Sequence, residues 1–264
     1  MTKTKYYIGK MMAIPVLPIM YLQSRWIKYR VPKLPEAKDL QGIVGSYDEG
    51  NENNESGIKL LTIGESSIAG VGVESHHQSI VGFLSRYLSQ KTQTPVQWEV
   101  LAKSGYTAKI VNDKLIPLLK DDAPDLIVIG LGANDAFQTN TPKNWVADIK
   151  ALIQNIRNKY PNPPIVFINM PPIKDFPVMS SLLQFFLGNL ASIFGNELEK
   201  IVKHFDNVWY NAHQITLKEF DNISGNQYQV NDFFSDGVHP SELTYQIWGE
   251  LMGEWILERV PIRK

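Results

Sequence analysis

Three side chains have the types needed for covalent acyl transfer, and they lie near opposite ends of the chain. Ser66 sits in TIGESSIAGVG, where an apolar run breaks at Gly64 into a turn of small residues. Asp236 and His239 stand three residues apart in FFSDGVHPSE. A serine hydroxyl is a weak nucleophile at neutral pH and needs a base beside it, and histidine is the side chain whose unperturbed pKa suits that task. An aspartate in the same loop can reach the imidazole, fix its tautomer and stabilise the imidazolium formed during attack. The tetrahedral intermediate carries an oxyanion, so donors must be aimed at it in advance. Each piece alone is also an ordinary turn signal, so the reading depends on whether the fold gathers them.

The elements that would gather them follow from apolar periodicity. Residues 58–63, 125–132 and 164–169 are short, largely apolar runs, as strands covered on both faces should be, residues 96–101 read as another strand, and a further short strand lies near Val208. Between them, residues 76–90, 107–120 and 145–160 carry apolar positions at helical spacing, and residues 242–258 form a last amphipathic helix. This alternation predicts one three-layer α/β/α domain with a parallel sheet and right-handed crossovers. It puts the blocks GESS, SGYTA at 104–108 and GANDA at 132–136 at the carboxyl ends of successive strands, where open sheets collect ligands.

Composition narrows the function. The 264 residues, 44% apolar, support one substantial core, and residues 58–264 are expected to form it. The 26 Lys plus Arg balance 27 Asp plus Glu, which argues against a nucleic-acid partner. The absence of cysteine excludes disulfides, a thiolate nucleophile and cysteine metal sites. His76 and His77 are adjacent and so do not share a helical face as paired metal ligands would. Gly70 and Gly72 begin a GxG without the third glycine of a dinucleotide fingerprint. No cofactor or metal is expected.

Residues 1–57 read as an N-terminal apolar and basic segment followed by a polar linker from residue 32. The clean apolar run, residues 11–22, is about half of the roughly 20 residues a span needs, and Pro15 and Pro18 interrupt it. Lys3, Lys5 and Lys10 precede it as in a secretory signal, without a convincing small-residue cleavage site. With Trp26, Tyr21, Tyr29 and the cations Arg25, Lys28 and Arg30, residues 6–30 fit a surface-lying membrane contact, an uncleaved signal or a segment packed on the domain. The expected location is membrane-associated through this segment, on either the cytoplasmic or the periplasmic face, and otherwise cytoplasmic.

Four blocks in order, GESS, SGYTA, GAND and DGVH, resemble the SGNH or GDSL-type hydrolases, a family of esterases and lipases. The resemblance spans most of residues 58–264 and implies a flavodoxin-like sheet. It implies Ser66 as nucleophile, Asp236 and His239 as the other triad members, and the backbone amides of Ser66 and Gly105 with the Asn134 side chain as the oxyanion hole. Glu65 stands where the family usually has Asp, and position within the block favours Ser66 over Ser67. The expected substrate is a small-molecule or lipid-like ester. A thioesterase or a carbohydrate O-deacetylase would use the same site, and a non-catalytic, membrane-tethered interaction module is the alternative from another class. The apolar stretch 182–194, after the exit loop MPPIKDFP, is expected to be a core helix or the wall of an acyl pocket bordered by Phe176, Phe185 and Phe186.

Overall fold

The computed structural model describes residues 2–45 and 57–262. Six strands form one sheet: β1 (Gln41–Val44), β2 (Ile58–Gly64), β3 (Val96–Ala102), β4 (Leu126–Gly130), β5 (Ile165–Phe167) and β6 (Val208–Tyr210), in the order β1-β3-β2-β4-β5-β6. The last five are parallel to their neighbours, which is the flavodoxin-like order, and β1 is an antiparallel edge.

Both faces of the sheet are covered, which is why the central β4 and β5 are unbroken apolar runs, whereas β3, VQWEVLA, beside the edge strand, alternates between buried and more exposed residues. On one face Leu60, Leu126 and Val128 pack under helices α3 (Ile80–Thr92) and α9 (Glu242–Arg259). On the other, Leu61, Ile63, Ile127 and Ile129 meet α4 (Ala108–Lys114), α6 (Pro142–Lys159) and α7 (Ser181–Val202). The remaining helices are α1 (Thr2–Ala13) and α2 (Leu17–Arg30), which join the second layer, and the short α5 (Ala133–Phe137) and α8 (Leu217–Ile223).

Register levels the carboxyl ends. Gly64 pairs with Ala102 on one side and Gly130 on the other, and Phe167 pairs with Ile129 and Tyr210. The loops after β2, β3 and β4 therefore leave the sheet side by side, at the point where strand order reverses direction. Gly64 is needed here: a β-carbon on it would lie 2.4 Å from the Gly130 carbonyl oxygen and 2.6 Å from Ile68, which folds back over the strand ends.

The stretch expected to be a linker contributes to the fold. Gln41 to Val44 pair with β3 from Glu99 to Val96, and Gly42 lies so close to the Trp98 ring that a β-carbon would sit 2.2 Å from it. Upstream, Ala37 N–H donates to the Ala69 carbonyl (3.1 Å) and Gly72 N–H to the Pro35 carbonyl (3.2 Å). Asp39 accepts from Ser75 Oγ and His76 N–H, each at 2.7 Å. The ordered domain thus reaches back to about residue 35, and the acidic, Asn-rich part of that stretch, residues 46–56, lies outside the described residues. Two expected helices are shorter than their periodicity suggests. Residues 76–78 are a 3₁₀ turn ahead of α3, and α4 gives way to a 3₁₀ turn at Ile116–Leu118, which holds Pro117.

Candidate active site

The turn after β2 is wound tightly enough to lift Ser66 clear of the sheet. Glu65 N–H donates to the Gly130 carbonyl (3.0 Å), Ala69 N–H to the Glu65 carbonyl (2.9 Å) and Val71 N–H to the Ser66 carbonyl (3.1 Å). Ile68 beneath is buried while Ser66 and Ser67 are partly exposed. From the opposite layer, the buried Tyr245 hydroxyl donates to the Val71 carbonyl (2.9 Å), which ties the turn to α9.

Glu65 turns out to be structural glue for its neighbour loop. Its carboxyl accepts from the backbone N–H of Ala133 (2.8 Å) and of Asn134 (2.9 Å), the first two residues of α5. Those N–H groups have no partner within a helix and need one. Gly132, at φ +130, makes the approach possible in a backbone conformation that other residues rarely adopt. Burial pushes the Glu65 carboxyl up to about 8, with nearby Asp135 acting in the same direction and the two N–H donors acting against it.

Asn134 is held from both ends. Its backbone rests on Glu65, and its Nδ2 donates to the Tyr106 carbonyl (3.1 Å), one residue beyond Gly105. This bond fixes the direction in which the amide group points, and the side chain also lies beside the Glu65 carboxyl. Asp135, fully buried, accepts from Ala108 N–H (2.9 Å) and Asn140 Nδ2 (2.8 Å), locking α5 to the start of α4, and burial raises its pKa. Gly105 is exposed at φ +84, with no heavy atom within 4 Å of where its β-carbon would be, so the backbone there is open to a ligand. Glu36 fixes that loop by accepting from Ser104 N–H and Lys103 Nζ, each at 2.8 Å.

Asp236 and His239 form a self-contained unit. His239 Nδ1 lies 2.7 Å from Asp236 Oδ2, while Asp236 Oδ1 accepts from the backbone N–H of His239 (2.8 Å) and Val238 (3.0 Å). An ionised carboxylate only accepts, so this pairing puts the ring proton on Nδ1 and leaves Nε2 with its lone pair. Asp236's side chain is wholly buried. Burial acts to raise its pKa, but the bonds from the His239 ring and from the two backbone N–H groups outweigh it and leave the carboxyl below its ordinary range. The loop is closed by the bridge between Phe234 and Pro240 and by Ser235 N–H donating to the His239 carbonyl (2.8 Å). Ser235 lies against Gly72, where a β-carbon would be 2.7 Å from its Oγ, so the loop docks directly on the Ser66 turn.

Ser66 and His239 line one cleft. Its walls are aromatic and aliphatic, including Phe137, Phe176, Phe234, Leu217 and Trp248, and the free space is only about 30 Å³. Phe176 packs edge-on against Phe234, with ring centroids 5.6 Å apart.

A model of the GDSL-like lipase/acylhydrolase family matches residues 62–247. The chain belongs to that family. Solved structures with the same fold include a lipase/acylhydrolase from Enterococcus faecalis (20% identity, TM-score 0.54, covering 78% of this chain and 99% of that one). The esterase EstA from a Pseudoalteromonas species, inhibited by monoethylphosphonate, aligns at 17% identity and TM-score 0.56 over 76% of this chain and 97% of its own. A family 3 carbohydrate esterase from Clostridium thermocellum aligns at 17% and 0.57 over 76% and 96%. No curated protein matched by sequence.

Set against the sequence expectations for this GDSL-family chain, the fold brings Ser66, Gly105, Asn134, Asp236 and His239 to one edge of the sheet. Phe176 lines the cleft, whereas Phe185 and Phe186 do not. They stack edge-to-face on α7 at 5.2 Å, with Phe185 half-exposed and Phe186 partly buried against the core. Sequence reasoning missed Glu65, Asp135 and Glu36, whose partners lie far off in the chain. It also missed α8, which supplies Leu217 and Phe220 to the cleft. Thr216 and Glu219 there form a capping box, a signature readable from TLKE.

Proposed function

We propose that the protein hydrolyses carboxylic esters through an acyl-enzyme on Ser66. His239 Nε2 takes the Ser66 proton as Oγ attacks the acyl carbon. The oxyanion is received by the Ser66 and Gly105 N–H groups and Asn134 Nδ2. Collapse expels the alcohol, which takes its proton from His239. Water, activated by the same imidazole, then attacks the acyl carbon and releases the acid and free Ser66. The observation that carries this reading is the 2.7 Å Asp236–His239 pair on the cleft that also holds Ser66. Thioester cleavage or sugar deacetylation would use the same steps, and the aromatic walls favour an apolar acyl group.

The cleft is narrow between its aromatic walls, so short acyl chains should enter most readily and long ones require the walls to part. A fluorophosphonate probe should label the wild type and Ser67→Ala but not Ser66→Ala. Labelling that persists in Ser66→Ala refutes the nucleophile, and a probe-inert wild type refutes the enzyme reading in favour of an interaction module. Across p-nitrophenyl esters from acetyl to palmitoyl, kcat/KM should peak at the short end. Phe176→Ala should move the peak to longer chains, and Phe185→Ala should leave it in place.

A further inference from the structure

Helices α1 and α2, joined by one 3₁₀ turn, meet the domain along a single stripe. Among their described side chains, only Tyr6, Gly9, Ala13, Val16, Met20, Gln23 and Ile27 are even partly buried, recurring every three or four residues. Met20 enters the core under α7, and Ser180 Oγ, at the start of α7, donates to Gln23 Oε1 (2.7 Å). Such spacing is the seam of a helix docked on one partner, and in water its other faces would be polar.

They are apolar. Met11 is 72% exposed, Leu22 67% and Trp26 53%, with Ile8, Met12 and Leu17 also exposed. Scattered exposed apolar residues are normal, but this many along two adjoining helices mark a contact surface. The charges name the contact. Lys5, Lys10, Arg25 and Arg30 are exposed on the same helices, and no Asp or Glu precedes Glu36, in a chain whose overall charge is −1. A second copy of the chain would bring the same cations against them, a like-charge juxtaposition that disfavours self-pairing. An anionic headgroup layer over acyl chains satisfies both features, with the exposed Tyr21, Trp26 and Tyr29 at the polar boundary. Among the described residues no helix is long and apolar enough to cross a membrane, so the mode is surface-lying.

We propose that α1 and α2 form a docking surface that lies in the headgroup region of an anionic bilayer. Ser180, bonded to α2, is four residues beyond Phe176 on the cleft wall, so the docked bilayer and the cleft share one corner of the molecule.

The test is flotation of the full chain with vesicles of phosphatidylcholine alone and of phosphatidylcholine with phosphatidylglycerol, at low and high salt. The chain should float with the anionic vesicles, and binding should weaken as salt rises. Changing Met11, Leu22 and Trp26 together to Ser should lower vesicle affinity at least about tenfold, since each loses a buried apolar side chain. Changing Lys5, Lys10, Arg25 and Arg30 together to Gln should abolish the preference for anionic lipid. Circular dichroism and thermal melting should match wild type in both variants, since none of these residues lies in the buried stripe. A wild type that floats with neither vesicle, or variants that float as it does, overturn the proposal. So does a dimer in light scattering that the apolar variant dissolves while vesicles stay unbound, because the face would then belong to a second copy. Flotation needs no ester turnover, so a failed esterase reading would leave this result standing.

Discussion

On the serine side of the cleft, every functional group is held by a segment distant in sequence. Glu65 holds Asn134, Asp135 holds Ala108, Glu36 holds Ser104 and Tyr245 holds the Ser66 turn. On the histidine side, Asp236 reaches His239 within one loop that a bridge from Phe234 to Pro240 closes. The first side is a junction of sheet loops and exists only once the sheet has assembled. The second needs only local geometry and a surface to dock on, which Gly72 supplies. Damage to the histidine side should therefore be chemical and confined, whereas damage to the serine side should also appear in stability.

The largest separation of the two sides is expected from Asp236→Asn. The amide places a donor where His239 Nδ1–H needs an acceptor, so the wrong tautomer is favoured and kcat should fall by about 10⁴ with KM little changed. Stability should respond mainly in acid. The native carboxyl is held below its ordinary pKa of 3.8, so its contribution is present above that value and is lost as pH falls through the lower native value. The variant should lack that acid-limb loss in a melting series. Activity near wild type would show that the pair plays no part in the reaction.

Asn134→Ala tests the serine side next. Loss of one preorganised donor should reduce kcat about 10²- to 10³-fold. Because Nδ2 also bonds the Tyr106 carbonyl, the variant should lose about 1 kcal/mol of stability besides, measured by denaturant unfolding. Full activity would make Asn134 a structural turn residue only.

How much of this was readable in the sequence follows the same division. β2 and β4 were legible because strands buried on both faces are largely apolar runs, and β3 because Val96, Trp98 and Val100 alternate with polar residues. The blocks around Ser66, Asn134 and His239 stood out as candidates because the chemistry expected of them restricts residue type. What was hidden has partners far away or elements too short to show a period. β1 is four residues with Gly42 beneath Trp98, α5 is five residues, and Glu65 looked incidental because the groups it holds lie 68 and 69 residues downstream. The first turns of α7 misled for another reason. Their apolar second face suggested a cleft wall at Phe185 and Phe186, but α1 packs on α7 and Phe185 turns outward.

Glu65→Gln probes the hidden link with the smallest expected effect on rate. Glutamine keeps the length and matches the neutral acid in charge, but replaces one acceptor oxygen by a donor amide. That amide must face the N–H of either Ala133 or Asn134, so one of the two bonds at 2.8 and 2.9 Å is lost and a buried donor is left unpaired. The start of α5 should loosen, with kcat down about tenfold through a misaimed Asn134 and KM nearly unchanged, and an unfolding cost of about 1–3 kcal/mol. The pH series distinguishes this from simple loss of packing. In the wild type the carboxyl titrates at about 8 in the fold against an ordinary 4.5, so between those values the native state holds the extra proton. Stability should therefore decline as pH rises through that window, with a slope approaching about 1.4 kcal/mol per pH unit, and level off above it. Glutamine does not titrate, so the variant's curve should be flatter there and the gap between the two proteins should narrow toward pH 8. Parallel curves would mean that Glu65 is ionised throughout and holds α5 as a carboxylate, and an unchanged kcat would remove it from the support of Asn134.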